Sequence, residues 1–157
     1  MLLNLVEDLH LDASAEDVWK LLRDTPRLAG LLPGVESVKS LDESDTEAYA
    51  ATVHDKIGPF KVTLNLELRV IEAAEQRLLK AALKGADLHN LNRLTGTLQV
   101  ALHPVETASR TRMHFEASVE ILGKLATLGA IPMRRRTTQL FGEFARNIQV
   151  QFAPGNS

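Results

Sequence analysis

No cysteine occurs in this chain of 157 residues, so disulfides, thiolate metal sites and thiol catalysis are excluded. Charge of one sign is also lacking. Twenty acidic and 18 basic side chains leave a formal charge of -2, which gives no global field to attract a phosphate backbone, and nucleic acid is not an expected partner. The first twelve residues carry no basic n-region and place Glu7 and Asp8 inside the apolar stretch, unlike a signal peptide. A cytoplasmic location is the expectation. The longest nearly uncharged run, Ile121 to Met133, is interrupted by Lys124 and is too short to cross a bilayer.

Several chemical signatures are missing as well. Gly30, Gly34, Gly58, Gly85 and Gly96 stand alone and form no phosphate-cradling Gly-x-Gly-x-x-Gly. His10, His54, His89, His103 and His114 show no His-x-x-x-His pair and no carboxylate at ligand spacing, so neither a metal nor another cofactor is expected. No serine sits in a Gly-x-Ser-x-Gly elbow.

What is present is an ordinary globular balance of 45% apolar and 24% charged residues. A chain of this length buries roughly two thirds of its unfolded surface around one core. Leu3, Leu5, Leu9 and Leu11 alternate with Leu2, Asn4, Val6, Asp8 and His10, a period of two that predicts a first strand with one face mostly buried. Ser14 and Asp17 make an acidic capping box that starts a helix at Ala15, and Pro26 stops it near Asp24. A second short helix is expected over residues 27–32. From Val35 to Ile121 the period returns to two, with breaks at 42–45, 58–59, 74–75, 87–90 and 104–109, which predicts six further strands. After Gly123 the spacing of Leu140, Phe141, Phe144, Ile148 and Phe152 is helical. With no βαβ crossover the sheet should be antiparallel. The fold class is therefore α+β: a seven-stranded curved sheet, two short helices after strand one, and a long C-terminal helix over an apolar cavity. The domain is expected to span 1–152, with a short disordered tail at 153–157.

Three polar features break the pattern. Glu7 falls in the apolar register of strand one, either facing a pocket or reaching water at an edge or bulge. His54 and Asp55 are adjacent, as an acid/base pair or as a charged strand end whose side chains point oppositely. Leu125 and Leu128 lie in an apolar stretch followed by Arg134, Arg135 and Arg136. That segment suits an anionic membrane surface or a partner protein, or it is an ordinary solvated helix start; cations there oppose the helix dipole, which favours a functional reason for them.

The residues resemble a known family, the CoxG family of carbon monoxide dehydrogenase subunits, within the SRPBCC or START-like superfamily of helix-grip proteins. The resemblance is carried by Val18-Trp19-Lys20-Leu21-Leu22 with Asp24, by Leu32-Pro33-Gly34-Val35-Glu36-Ser37-Val38, by Tyr49 to Val53, by Ile57-Gly58-Pro59-Phe60, and by Gly123 to Gly129. It implies a long cavity between sheet and final helix and a non-enzymatic accessory of a molybdenum hydroxylase such as carbon monoxide dehydrogenase. Such an accessory binds a lipid or quinone-like molecule and recruits its enzyme to the inner face of the membrane. Trp19, Tyr49, Leu64, Leu66, Leu98, Phe115, Phe141 and Phe144 are the expected cavity wall. The alternative is a polyketide cyclase- or hydrolase-like enzyme using the same cavity, which would need Glu7, His54 or Asp55 inside it and within reach of one another. A pure protein-interaction module would instead have a filled core and an exposed apolar patch.

Overall fold

A computed structural model of the chain describes residues 1–41 and 46–153. The expected break at 42–45, and the last four residues of the expected tail, lie outside the described residues.

The first strand, β1 (Leu2–Leu11), leads into α1 (Ala15–Arg23). There the Asp17 amide donates to the Ser14 hydroxyl oxygen at 3.2 Å, as the capping pattern requires. The second helix, α2 (Thr25–Ala29), starts two residues earlier than expected and ends before Leu31. The physical reason is a second cap: Asp24 closes α1 and then accepts from the Arg27 amide, and Pro26 is tolerated in the first turn because its missing N–H is not needed there. Six strands follow, β2 (Val35–Leu41), β3 (Ala48–Ile57), β4 (Phe60–Ala74), β5 (Leu78–Ala86), β6 (Asn92–Val105) and β7 (Arg110–Gly123). The chain closes with a 3-10 turn (Lys124–Leu128) and α3 (Ala130–Gln151). The change of period at Gly123 therefore marks the 3-10 turn, and the long helix begins seven residues later.

All seven strands form one antiparallel sheet in the order β1-β7-β6-β5-β4-β3-β2. Each hairpin pairs consecutive strands from β2 to β7, and β1 adds to β7 at the far edge. Two motif glycines have steric reasons. At Gly34 (φ 85°) and Gly123 (φ 107°) the backbone is left-handed, and a Cβ would collide with the carbonyl oxygens of His54 and Leu91 respectively.

Burial divides into two clusters rather than one continuous core. The first joins α1 to the C-terminal half of α3 through Leu9, Leu11, Val18, Leu21, Leu22, Leu102, Met113 and Ile148. The second lies under the 3-10 turn and the start of α3 and contains Leu3, Ile57, Val62, Ile121, Leu125 and Met133. Helix α3 approaches β1 on one side and β3 on the other, so the sheet wraps around it. Between the two clusters the inner face of the sheet is only partly covered.

Candidate functional site: an apolar hollow beneath the last helix

The inner register can be followed across the sheet from strand to strand. Leu5 pairs with Ala117, Ala117 with Leu98, and Leu98 with Ala81. One step along, Leu83 pairs with Leu68 and Leu68 with Tyr49. Leu66, Leu68, Leu83 and Leu98 are all half-buried, as are Tyr49, Ala117 and Phe115. From α3, Phe141 stacks on Phe115 with ring centroids 5.3 Å apart, and Phe144 meets Phe141 edge-on at 6.4 Å. This stack bounds the first cluster.

Beyond it, toward the start of α3, a cavity of about 150 Å³ opens. Its floor is Val53, Ile57, Val62 and Leu64 of β3 and β4 with Leu94 and Ile121 of β6 and β7; its roof is Leu125, Met133 and Leu140. Three polar residues complete the wall, Asp55, Asn92 and Arg93.

Of the residues expected on the cavity wall, Leu64 lines this hollow. Tyr49, Leu66, Leu98 and Phe115 share its sheet face between the two clusters, and Phe141 and Phe144 cover that face from α3. Trp19 packs against the first cluster from α1, with the Arg23 guanidinium 5.9 Å from its ring centre. It sits at the end of the domain away from the 150 Å³ hollow.

The polar residues are not brought together. His54 projects from the outer face, where Nδ1 lies 2.9 Å from the Thr63 hydroxyl and Nε2 3.1 Å from a Glu36 carboxylate oxygen. Asp55 points inward and is held by Arg136 of α3. Arg136 Nε donates to both carboxylate oxygens at 3.2 and 3.1 Å, and Nη2 donates to Oδ1 at 2.7 Å. The Asp55 side chain is 12% exposed and Arg136 31%. The hydrogen bond to Asp55 holds the guanidinium more firmly protonated than usual. Glu7 also faces inward, opposite Phe115, on the edge strand β1, whose pairing with β7 runs without a bulge. Glu7 and Asp55 thus lie on strands near opposite ends of the sheet order. Glu7, His54 and Asp55 are therefore not within reach of one another.

The basic segment separates into two parts. Arg134 and Arg135 are exposed, whereas Arg136 turns in to Asp55. Leu125 is 3% exposed and roofs the cavity, and Leu128 packs against the second cluster. A 3-10 turn repeats every three residues, so both leucines share its inward side and Leu125 is not a surface contact. The exposed apolar side chains at this end are instead Ile131 (71%), Leu88 (81%), Leu91 and Leu122.

Asn92 escaped the reading of the sequence. It is buried, and its amide oxygen accepts from the Leu125 amide at 2.8 Å while its amide nitrogen donates to Asp87 at 3.0 Å. Asp87 also accepts from the backbone amides of Leu91 and Asn92. Burial alone would raise the Asp87 carboxyl, but these hydrogen bonds outweigh it and hold the group below its ordinary range. The Asp-x-x-x-x-Asn spacing at a strand start was the available signal.

Comparison with known proteins agrees with this architecture. A conserved protein from Geobacillus kaustophilus superposes with a TM-score of 0.84 at 22% identity, covering 96% of this chain and 95% of its own. A START superfamily protein from Mycobacterium smegmatis gives 0.69 at 13% identity, covering 95% and 96%. The Zhui aromatase/cyclase from Streptomyces sp. R1128 gives 0.61 at 15% identity over the full length of both chains. At such identities these likenesses establish the fold. No curated protein sequence matches the chain. The model of the CoxG family of carbon monoxide dehydrogenase subunits matches residues 8–153, a span that takes in every element from the end of β1 to the last turn of α3, and the chain belongs to that family.

Proposed function

We propose that the protein binds a hydrophobic small molecule, of lipid or quinone-like character, between the sheet and α3, and that it serves without catalysis as an accessory to a molybdenum hydroxylase such as carbon monoxide dehydrogenase. One observation carries the binding reading: the inner sheet face is left partly uncovered between two packed clusters, with an apolar hollow beside the stretch. Each half-buried leucine there forgoes part of the ~2 kcal/mol that full burial supplies, and interiors are otherwise close-packed. A ligand laid along Leu66, Leu98 and Phe141 toward the hollow at Leu64 recovers that burial.

The partner reading rests on family membership. Contact with a membrane is supported by Ile131 and Leu122, exposed at the end of the domain that also carries Lys124, Arg134 and Arg135. Each basic residue contributes about 1 kcal/mol at an anionic surface. Among the described residues no helix is long and apolar enough to cross a bilayer, so such contact would be peripheral.

The test is extraction of protein purified from its native host, with mass spectrometry of whatever apolar molecule accompanies it. In parallel, the methyl resonance of ¹³C-labelled Met133, which lines the hollow, is followed while ubiquinone-1 or oleate is added. A co-purifying lipid or a saturable shift is expected. Empty extracts together with an unmoved Met133 resonance would refute the binding reading, and failure to co-elute with purified carbon monoxide dehydrogenase would refute the partner.

A further inference from the structure

The antiparallel order places the β3–β4 and β5–β6 turns, the starts of β1 and β2 and the exit of β7 at one end of the sheet, where the 3-10 turn leads into α3. That end collects two kinds of unpartnered side chain. Of the eight large apolar side chains exposed among the described residues, Leu2, Leu88, Leu91, Leu122 and Ile131 lie there. Six exposed cations accompany them: Lys56 and Lys61 at the first turn, Arg93 and Lys124 beside the second, and Arg134 and Arg135 on α3. Among the described residues none of these six side chains has a hydrogen-bond or ion-pair partner. The carboxylates placed among them are engaged, Asp55 by Arg136, Asp87 by Asn92 and two backbone amides, Glu36 by His54, and Glu120 by the N-terminal ammonium. The field at this end is therefore positive, although the whole chain carries -2.

Leu88 is the most exposed of the apolar side chains, at 81%. It projects from a turn that holds itself closed: the Asp87 carboxylate accepts from the Leu91 amide at 2.6 Å and the Asn92 amide at 3.3 Å, and the Asn90 amide donates to the Asp87 carbonyl at 3.1 Å. Taking Leu88 out of water strands none of those groups. We propose that this end docks on an anionic phospholipid bilayer, with the β5–β6 turn inserting Leu88 among the acyl chains, Leu122 and Ile131 at the interface, and the six cations on lipid phosphates. This rests on the membrane contact proposed above and deepens it by naming the inserted turn and the charge of the lipid. The arrangement favours a bilayer over an acidic protein. Lys56, Lys61 and Arg93 stand in the outer register of the sheet while Arg134 and Arg135 stand on α3, so the charge approaches from both sides of the apolar tips. A fluid surface offers phosphate on every side and hydrocarbon in the middle, with no pocket needed for each side chain.

Co-sedimentation with vesicles tests the docking, with phosphatidylcholine alone and with phosphatidylcholine mixed with phosphatidylglycerol. The native protein should bind the mixed vesicles, leave them as salt is raised, and stay in solution with phosphatidylcholine alone. Leu88→Ser should weaken binding to the mixed vesicles about tenfold, through the lost burial of one leucine, and Leu88→Phe should restore it. Arg134→Gln/Arg135→Gln should weaken it about twentyfold. Ile71→Ser removes an exposed aliphatic side chain near the opposite end of β4 and should change nothing. Methyl resonances of Met133 and Met113, one in each core cluster, check that every variant keeps its fold. Native affinity in Leu88→Ser, or an equal loss in Ile71→Ser, overturns the proposal and leaves membrane contact standing. Equal binding to both kinds of vesicle overturns it as well. Vesicle binding that survives Leu88→Ser while co-elution with carbon monoxide dehydrogenase is lost assigns the turn to a protein partner instead. No vesicle binding by the native protein overturns the proposal and the membrane contact together, and the ligand reading is then judged on its own by the shift of Met133 with ubiquinone-1 or oleate.

Discussion

Replacing Arg136 by methionine tests how the start of α3 is fastened to the sheet. The substitution keeps the length of the aliphatic stem but leaves the Asp55 carboxylate, 12% exposed, facing Val62, Leu64 and Met133 without its partner. Removing one member of a fully buried pair costs about 3–5 kcal/mol, and breaking an exposed one about 0–1 kcal/mol. Arg136 is 31% exposed, so solvent screens part of the interaction, and a loss of about 2 kcal/mol is expected. For a chain of this size that corresponds to a fall in Tm of roughly 4–8 °C. The Asp55→Leu/Arg136→Leu variant should recover most of it, because two apolar side chains join a wall that is already apolar and no charge is stranded. Urea titration monitored by Trp19 emission measures both variants. A loss below about 0.5 kcal/mol for Arg136→Met, or a double variant as unstable as the single one, would show that the pair does not fasten the helix.

Three other outcomes are expected. Ile148→Ala opens a void in the first cluster, where Ile148 is 1% exposed, and should cost about 2–5 kcal/mol in the same titration. Asn92→Ala strands the buried Leu125 amide and frees Asp87; a cost of about 2 kcal/mol is expected, with faster hydrogen exchange in the 3-10 turn as its local signature. His114 lies between Glu116 and Asp8, with Nε2 3.0 Å from Glu116 and Nδ1 2.8 Å from Asp8. The hydrogen bonds to Glu116 and then Asp8 raise its pKa above the ordinary 6.5. Its stabilisation is therefore complete below that value and is lost as pH rises through the raised one. Asp8 acts at the other end: the hydrogen bond from His114 lowers its pKa, so its contribution holds above the ordinary 3.8 and disappears as pH falls through the lowered value. A His114→Gln variant should flatten the decline of stability above neutrality; an unchanged pH profile would count against the pairing.

The elements were legible wherever a local period or cap dictates them. The alternation from Phe60 to Val70 and the Ser14 cap act within a few residues, and both fall where expected. Helix α2 was misplaced because Asp24 serves two helices at once, which a rule that ends one helix before starting the next does not allow. The inner face was legible by the same logic, since a strand's register fixes which residues share a side. The hollow along that face was not. Its position depends on where α3 lies over the sheet, and that is set by contacts far apart in sequence, such as Asp55 with Arg136 and Asn92 with Leu125. Asp55 stood out as a charge in an apolar register, but its partner lies 81 residues away. Leu125 read as a membrane or partner contact because a 3-10 turn and a helix differ in which leucines they bury.

The cations at the start of α3 oppose the helix dipole, and their arrangement resolves that conflict only in part. Arg136 has a structural reason in Asp55, and the bidentate geometry outweighs the dipole cost, which falls off within the first turn. Among the described residues Arg134 and Arg135 have no hydrogen-bond or ion-pair partner, and they stand exposed near Ile131, itself 71% exposed. Fold stability gains nothing from two such cations in the second turn of the helix. The same few residues thus roof the cavity on one side, through Leu125 and Met133, and present charge and apolar surface on the other. The Asp55–Arg136 pair fastens this segment to the sheet at about 2 kcal/mol, beside the apolar contacts that Leu125 and Met133 make in the second cluster.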